Sequence, residues 1–72
     1  MRMIDSNLIA GVSYSREDKT LTVALKSGGS DLRVYRYDGV SKHTYTAFNK
    51  SDSPGSFFAS RIRPRHTATR IA

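Results

Sequence analysis

The sequence predicts an α+β fold in which a three-stranded antiparallel meander sheet is followed by two short helices packed on one face. Three observations lead to this prediction. Apolar and polar residues alternate with a period of two up to Asp38-Gly39, and the spacing becomes helical after that point. A chain of 72 residues has room for one core. We therefore expect a single domain over residues 6–65, with residues 1–5 and 66–72 as short flexible termini.

The three strands are predicted from alternation and from the turns between them. One face of the first strand is formed by every second residue: Leu8, Ala10, Val12 and Tyr14. Gly11 is a weak position or a bulge in this strand. The polar segment 15–19 suits a hairpin connection to the clearest strand, Thr20 to Lys26. After a glycine-containing turn at residues 27–31, Leu32 to Tyr37 forms the third strand.

Two helices are predicted from cap residues and prolines. Ser41 can accept a free backbone N–H at the start of a helix from Lys42 to about Lys50. Ser53 offers a second cap, and Pro54 fits the first turn of a second helix because it lacks the N–H that would be unpaired there. Pro64 ends this helix. The remaining tail has no clear period, so we expect it to be mobile or ordered by a partner.

The positive charge is concentrated in the second half of the chain. The net charge is +6, and residues 39–72 contribute six basic and one acidic side chain. Concentrated positive charge favours encounters with polyanions, although it also keeps small proteins in solution. The chain contains no cysteine and no apolar segment long enough for a signal peptide or a membrane span. We expect a cytoplasmic monomer without a membrane partner.

The residue inventory does not favour an enzyme. His43 and His66 are the only histidines, and without cysteine they cannot complete a typical zinc site. The Gly-x-Ser-x-Gly motif and the phosphate-binding loop pattern are both absent. We therefore predict no catalytic residues, no metal and no cofactor.

The aromatic pair in the third strand has two interpretations. Tyr35 and Tyr37 lie two residues apart on a strand and share one face. They could stack unpaired bases, or they could cover the core beneath the helices. We prefer the second interpretation because so short a chain needs its aromatic residues for the core. In that case Arg33 lies on the same face, and Arg36 points to the other face.

Two segments of the second half are candidates for anion binding. Arg61, Arg63 and Arg65 could neutralise phosphates, or they could form the solvated basic end of a helix. The serine-rich segment 51–56 could hold an anion at free backbone N–H groups. For this segment a cap and a tight turn between helices is the preferred interpretation.

Several motifs together resemble a known family. In chain order, they are Asp5-Ser6-Asn7, Gly11-Val12-Ser13-Tyr14, Lys26-Ser27-Gly28-Gly29, Tyr35-Arg36-Tyr37, Asp38-Gly39-Val40, Ser53-Pro54-Gly55-Ser56-Phe57-Phe58 and Ile62-Arg63. The chain resembles the KTSC domain, which is named for its occurrence at the C-terminus of some lysyl-tRNA synthetases and is also found in stand-alone bacterial and phage proteins. Ser41 stands where many relatives have proline. The resemblance implies the α+β fold, and its association with the synthetase suggests RNA binding.

The leading functional hypothesis is a non-enzymatic module that binds RNA or another nucleic acid. Its predicted contact residues are Arg33, Tyr35, Arg36, Tyr37, Arg61, Arg63 and Arg65. The alternative is a small phage or host accessory protein that binds or inhibits another protein by using the same arginines to dock on an acidic surface of that partner. Leu32, Val34 or the tail would then supply apolar anchors.

Overall fold

The computed structural model describes residues 2–4, 6–26 and 31–72 as an antiparallel sheet with two helices packed on one face. Within these ranges the strands are β1 Arg2–Met3, β2 Ile9–Ser15, β3 Thr20–Lys26, β4 Leu32–Tyr37 and β5 Ala68–Arg70. The helices are α1 Lys42–Lys50 and α2 Pro54–Phe57, and α2 continues as a π-helix over Phe58–Ile62. We call residues 54–62 the second helix. The α+β prediction is confirmed.

The predicted three-stranded meander forms the centre of a larger sheet. The described residues form five strands in the order β1-β2-β3-β4-β5, each antiparallel to its neighbours. The hairpin between β2 and β3 contains Lys19, whose φ of 54° is left-handed. Most of the turn predicted between β3 and β4, residues 27–30, lies outside the described residues.

The C-terminal tail, which was predicted as a flexible terminus, contains a short strand. Ala68–Arg70 pairs with β4, and the Asp38 N–H donates to the Thr67 carbonyl at 3.0 Å. Ile71 donates to the Val34 carbonyl at 2.9 Å, which extends the pairing beyond β5. An edge strand of this kind is held by backbone hydrogen bonds and keeps its side chains exposed. It therefore leaves no apolar alternation in the sequence. At the other terminus, Arg2–Met3 pairs with β2 in the same way.

A bulge in β2 changes which residues face the core. The register shifts between Ile9 and Gly11, where one strand has an extra residue. Because of this shift, Ile9 and Val12 are both fully buried, whereas Leu8 and Ala10 are only partly buried. The predicted alternation from Leu8 to Tyr14 is therefore correct only after the bulge.

The core lies between the sheet and the two helices. Its buried members are Ile9, Val12, Leu21, Val23, Tyr37, Val40, Phe48, Phe58 and Ile62. The predicted cap of α1 is present, because the Ser41 hydroxyl accepts the Thr44 N–H at 3.1 Å. The second helix begins at Pro54 as predicted, but Ser53 makes no side-chain cap hydrogen bond. Within the described ranges, none of the helices is both long and apolar enough to cross a membrane.

The strand register divides the sheet into two faces. Residues paired across neighbouring strands share a face, because side chains stand on the same side at paired positions. The helix-covered face contains the paired positions Val23 and Tyr35 together with Leu21 and Tyr37. The helix-free face contains the row Ser13, Thr22, Arg36 and Thr69 and the neighbouring row Gly11, Ala24 and Val34.

Candidate nucleic-acid interface

The two candidate tyrosines of β4 lie on the helix-covered face. Tyr37 is 3% exposed, and its ring meets the edge of Phe58 with the ring centroids 5.2 Å apart. Tyr35 is only partly buried, and its ring centroid is 6.5 Å from that of Tyr37. Tyr37 is therefore a core residue that cannot stack on a base without leaving the core. Tyr35 keeps part of its ring accessible.

Arg36 lies on the opposite face from the other predicted arginines. Its side chain is 46% exposed and forms an ion pair with Asp38 at 3.3 Å. The sheet separates it from the helices, as its strand position predicts. The structure therefore does not bring Arg36 together with Arg61, Arg63 and Arg65.

Arg61 and Arg65 line one groove beside the second helix. Arg61 lies in the last turn of the second helix, and Arg65 lies in the turn that follows this helix. The groove has a volume of about 390 Å³. It is lined by Gly39, Ser41, His43, Thr44, Ala47, Phe57, Arg61, Arg65 and His66, and we call it the basic groove. No carboxylate is among these residues.

His66 has a defined orientation at the basic groove. Its Nδ1 lies 3.1 Å from the carbonyl oxygen of Asp38. Because a carbonyl oxygen can only accept, Nδ1 must carry the proton that is donated in this hydrogen bond. Only Nε2 is then left to interact with a ligand. Gly39 lies beside this ring with a φ of 73°, a conformation that disfavours residues with a Cβ.

A second positive region lies along the edge of the helix-covered face. Arg33 and Tyr35 are two residues apart on β4, and Arg70 is directly opposite Tyr35 in β5. Arg63 lies near enough to Tyr37 for its charge to oppose the rise in the pKa of that phenol. Burial is the larger effect and keeps this pKa above its usual value. We call Arg33, Tyr35, Arg63 and Arg70 the edge strip.

The arginines at the end of the second helix carry unpaired charge. In the part of the chain that the structure describes, Arg36–Asp38 is the only ion pair within 4.0 Å. Arg61, Arg63 and Arg65 are all exposed and have no carboxylate at that distance among the described residues. Ile62 lies between them and is fully buried, so it fixes the segment against the core. The arrangement suits the binding of an anion.

Some residues at this surface were not predicted from the sequence to lie there. His43 and His66 were considered only as metal ligands, although within the described ranges no group of three potential ligands could hold a metal ion. Arg70 was placed in a tail without structure.

The serine-rich segment 51–56 has a structural role in the fold. The Ser51 hydroxyl accepts the Ser53 N–H at 3.1 Å, which shapes the turn between the helices. A Cβ on Gly55 would lie 3.0 Å from the Ser6 hydroxyl, so Gly55 permits this close approach. Ser6 in turn accepts the Leu8 N–H at 3.1 Å. These contacts support the interpretation as a turn and favour it over an anion site.

Comparisons with known proteins agree on the family. The sequence-family model of the KTSC domain matches residues 5–66 of this chain. A crystal structure of a KTSC domain protein from Yersinia pestis superposes with a TM-score of 0.88 and 22% sequence identity. The match covers 99% of this chain and 94% of the Yersinia pestis chain, and at this identity it shows the shared fold. None of the curated proteins compared with the chain matches it.

Proposed function

We propose that this chain, which belongs to the KTSC domain family, is a non-enzymatic module that binds RNA or another nucleic acid. The observation that carries the proposal is the unpaired charge of Arg61, Arg63 and Arg65. These side chains are exposed and have no acidic partner among the described residues. Arginines of this kind recognise phosphates through paired N–H donors.

The proposed interface lies on the helix-covered side of the molecule. The basic groove receives one part of the nucleic-acid backbone, and the edge strip receives another part. The partly exposed ring of Tyr35 lies between Arg33 and Arg70 in this strip and offers one stacking surface. Phosphate contacts then provide most of the affinity, and stacking adds about 1–3 kcal/mol per base.

A titration of single-stranded RNA of about 12 nucleotides tests this proposal. The double substitution Arg61→Gln and Arg65→Gln removes two phosphate contacts. We expect affinity to fall on the order of 100-fold, because each hydrogen bond to a charged group is worth about 1.5 kcal/mol or more. The slope of log K against log salt should decrease by roughly 0.7 for each lost contact. Fluorescence anisotropy between about 50 mM and about 200 mM salt measures both quantities.

The substitution Arg36→Gln is the matched control for this experiment. It also removes one exposed arginine, but from the helix-free face, where Asp38 already pairs with the charge. We expect its affinity to remain within about threefold of the unmodified protein, since long-range charge effects are screened beyond about 10 Å. Absence of RNA and DNA binding at low salt, or an equal loss in the control, contradicts the proposal.

One observation favours a protein partner as a second candidate function. Leu32 and Ile71 are 51% and 52% exposed. Val34 follows Leu32 by two residues in β4, is partly buried on the helix-free face, and accepts the Ile71 N–H through its carbonyl. With Lys26 paired opposite Leu32, this surface suits a protein with an apolar patch bordered by acidic residues. A single stoichiometric partner that survives nuclease treatment and is lost on Leu32→Ser substitution supports this candidate.

A further inference from the structure

The basic groove brings together positive side chains from separate elements of the fold. His43 comes from the first turn of α1, Arg61 and Arg65 come from the second helix and the turn after it, and His66 follows directly. The fold therefore concentrates two arginines and two histidines around one concave surface. Arg33 and Arg70 of the edge strip instead lie on neighbouring strands, where a nucleic-acid backbone can pass along them.

The charge of the groove suits a doubly negative ligand better than a singly negative one. Arg61 and Arg65 contribute two permanent positive charges, and none of the residues that line the groove is acidic. His43 and His66 also line the groove and offer ring nitrogens for hydrogen bonds. A phosphodiester in a strand carries one negative charge, whereas a phosphate monoester carries about −1.5 to −2 at pH 7. The end of a phosphorylated strand offers that second charge.

The orientation of His66 leaves one nitrogen for a ligand. The hydrogen bond from Nδ1 to the Asp38 carbonyl holds the ring at 3.1 Å from the backbone. A phosphate group that contacts this ring can therefore meet only Nε2. Because the ring is already positioned, less side-chain freedom is lost when this contact forms.

The groove has room for more than a phosphate group. Its volume of about 390 Å³ falls within the usual range for pockets that hold small organic ligands. Ala47 and Phe57 add apolar surface to the lining of the groove, and Phe57 is only partly buried. The sugar or base attached to a terminal phosphate can lie against this surface.

We propose that the basic groove binds the terminal phosphate monoester of a nucleic-acid strand, so that the protein recognises a phosphorylated end. This inference rests on the proposed nucleic-acid binding and adds to it the part of the ligand that the groove accepts. The edge strip then contacts the nucleotides that follow the end.

Three RNAs of one sequence test the inference: one with a 5′-phosphate, one with a 3′-phosphate and one with hydroxyl groups at both ends. At about 100 mM salt, where the screening length is about 10 Å, we expect one phosphorylated RNA to bind at least tenfold more tightly than the RNA with hydroxyl ends. His66→Gln and Arg65→Gln should each reduce this preference to below about threefold. Arg36→Gln, on the helix-free face, should retain it. Circular dichroism confirms that each variant is folded.

The outcomes separate this inference from the proposed function. If all three RNAs bind equally and Arg65→Gln weakens them equally, the end-recognition inference is wrong and nucleic-acid binding stands. If none of the three binds at low salt, both proposals are wrong. A matching nucleoside monophosphate distinguishes a strand end from a free nucleotide. Binding of this nucleotide as tightly as the phosphorylated RNA contradicts recognition of a strand.

Discussion

The two sides of the sheet carry arginine in different ways. On the helix-free face, Arg36 is paired with Asp38, and its neighbours in the same row are Ser13, Thr22 and Thr69. On the helix-covered side, the arginines at the end of the second helix have no acidic partner among the described residues. The net charge of +6 therefore does not by itself locate a binding surface. The unpaired charge is what identifies a candidate surface.

The aromatic residues reinforce this difference. None of the described aromatic side chains lies on the helix-free face, since Tyr35 and Tyr37 share the other face with the helices. Modules that bind RNA on an open sheet use aromatic rings on that sheet to stack bases. Such stacking is not possible on the helix-free face of this protein. The proposed interface therefore lies where helices and sheet edge meet.

The largest expected effect compares one position on each face of the sheet. Tyr37→Ala removes a ring that is 3% exposed and packs on Phe58, so it should lower the free energy of unfolding by about 3–5 kcal/mol. Thr22→Ala changes a partly buried residue on the helix-free face and should cost less than about 1 kcal/mol. Urea unfolding of both variants measures the difference. Equal losses would contradict the assignment of Tyr37 to the core.

The central strands show which part of the fold could be predicted from the sequence. The alternation in Thr20–Lys26 and Leu32–Tyr37 is local, and it correctly placed Tyr37 on the face with the core and Arg36 on the other face. Ser41 and Pro54 likewise marked the starts of the helices through chemistry within a few residues. Signals carried by neighbouring residues were therefore sufficient for the central elements.

The remaining features depend on contacts between distant parts of the chain. The pairing of Ala68–Arg70 with β4 uses backbone groups, which every sequence supplies. The basic groove is lined by both His43 and His66, which are 23 positions apart in the numbering. Neither feature has a local pattern. The arginine cluster could be predicted as a charge excess, but the position of Arg61 and Arg65 in one groove with His43 required the tertiary structure.

A negative charge placed on each side of the molecule gives the next largest effect. Thr44→Glu puts a carboxylate at the basic groove and three residues after the Ser41 cap, where it can form a capping box with the Ser41 N–H. We expect stability to rise by about 0.5 kcal/mol and RNA affinity to fall about tenfold. Thr22→Glu on the helix-free face is the matched control.

The control should leave RNA affinity within about threefold, because its charge is across the sheet from the groove and is screened by salt. Thermal unfolding and anisotropy together separate the two effects of Thr44→Glu. Loss of both stability and affinity in Thr44→Glu would indicate a damaged helix. The variant would then give no evidence that RNA binds at the basic groove. An equal loss of affinity in both variants would indicate a nonspecific charge effect.

A smaller effect is expected when the charge of Arg36 is released from its partner. Asp38→Asn breaks an ion pair whose side chains are 46% and 45% exposed, so stability should fall by less than about 1 kcal/mol. RNA affinity should rise by no more than about threefold, because Arg36 still lies on the helix-free face. A rise of tenfold or more in anisotropy titrations would show that pairing, rather than position, keeps Arg36 out of the interface.

The smallest effect is a dependence of stability on alkaline pH that comes from the helix-covered face. Burial raises the pKa of Tyr37 above its usual value of 10.0, and the charge of Arg63 partly opposes this rise. As the pH increases past the usual value, the unfolded chain loses this proton before the folded chain does. Unfolding then releases a proton, so stability decreases as pH rises through the folded-state pKa.

Tyr37→Phe removes this titrating group while retaining the ring against Phe58, so its stability should decrease less steeply above about pH 10 than that of the unmodified protein. Arg63→Gln removes the opposing charge, so the pKa of Tyr37 should be higher in this variant than in the unmodified protein. Urea unfolding at a series of alkaline pH values measures the first difference, and tyrosinate absorbance measures the second. Identical pH slopes for Tyr37→Phe and the unmodified protein would mean that the Tyr37 hydroxyl is no less solvated in the folded state than in the unfolded chain. An unchanged tyrosinate titration in Arg63→Gln would mean that the charge of Arg63 does not act on the Tyr37 phenol.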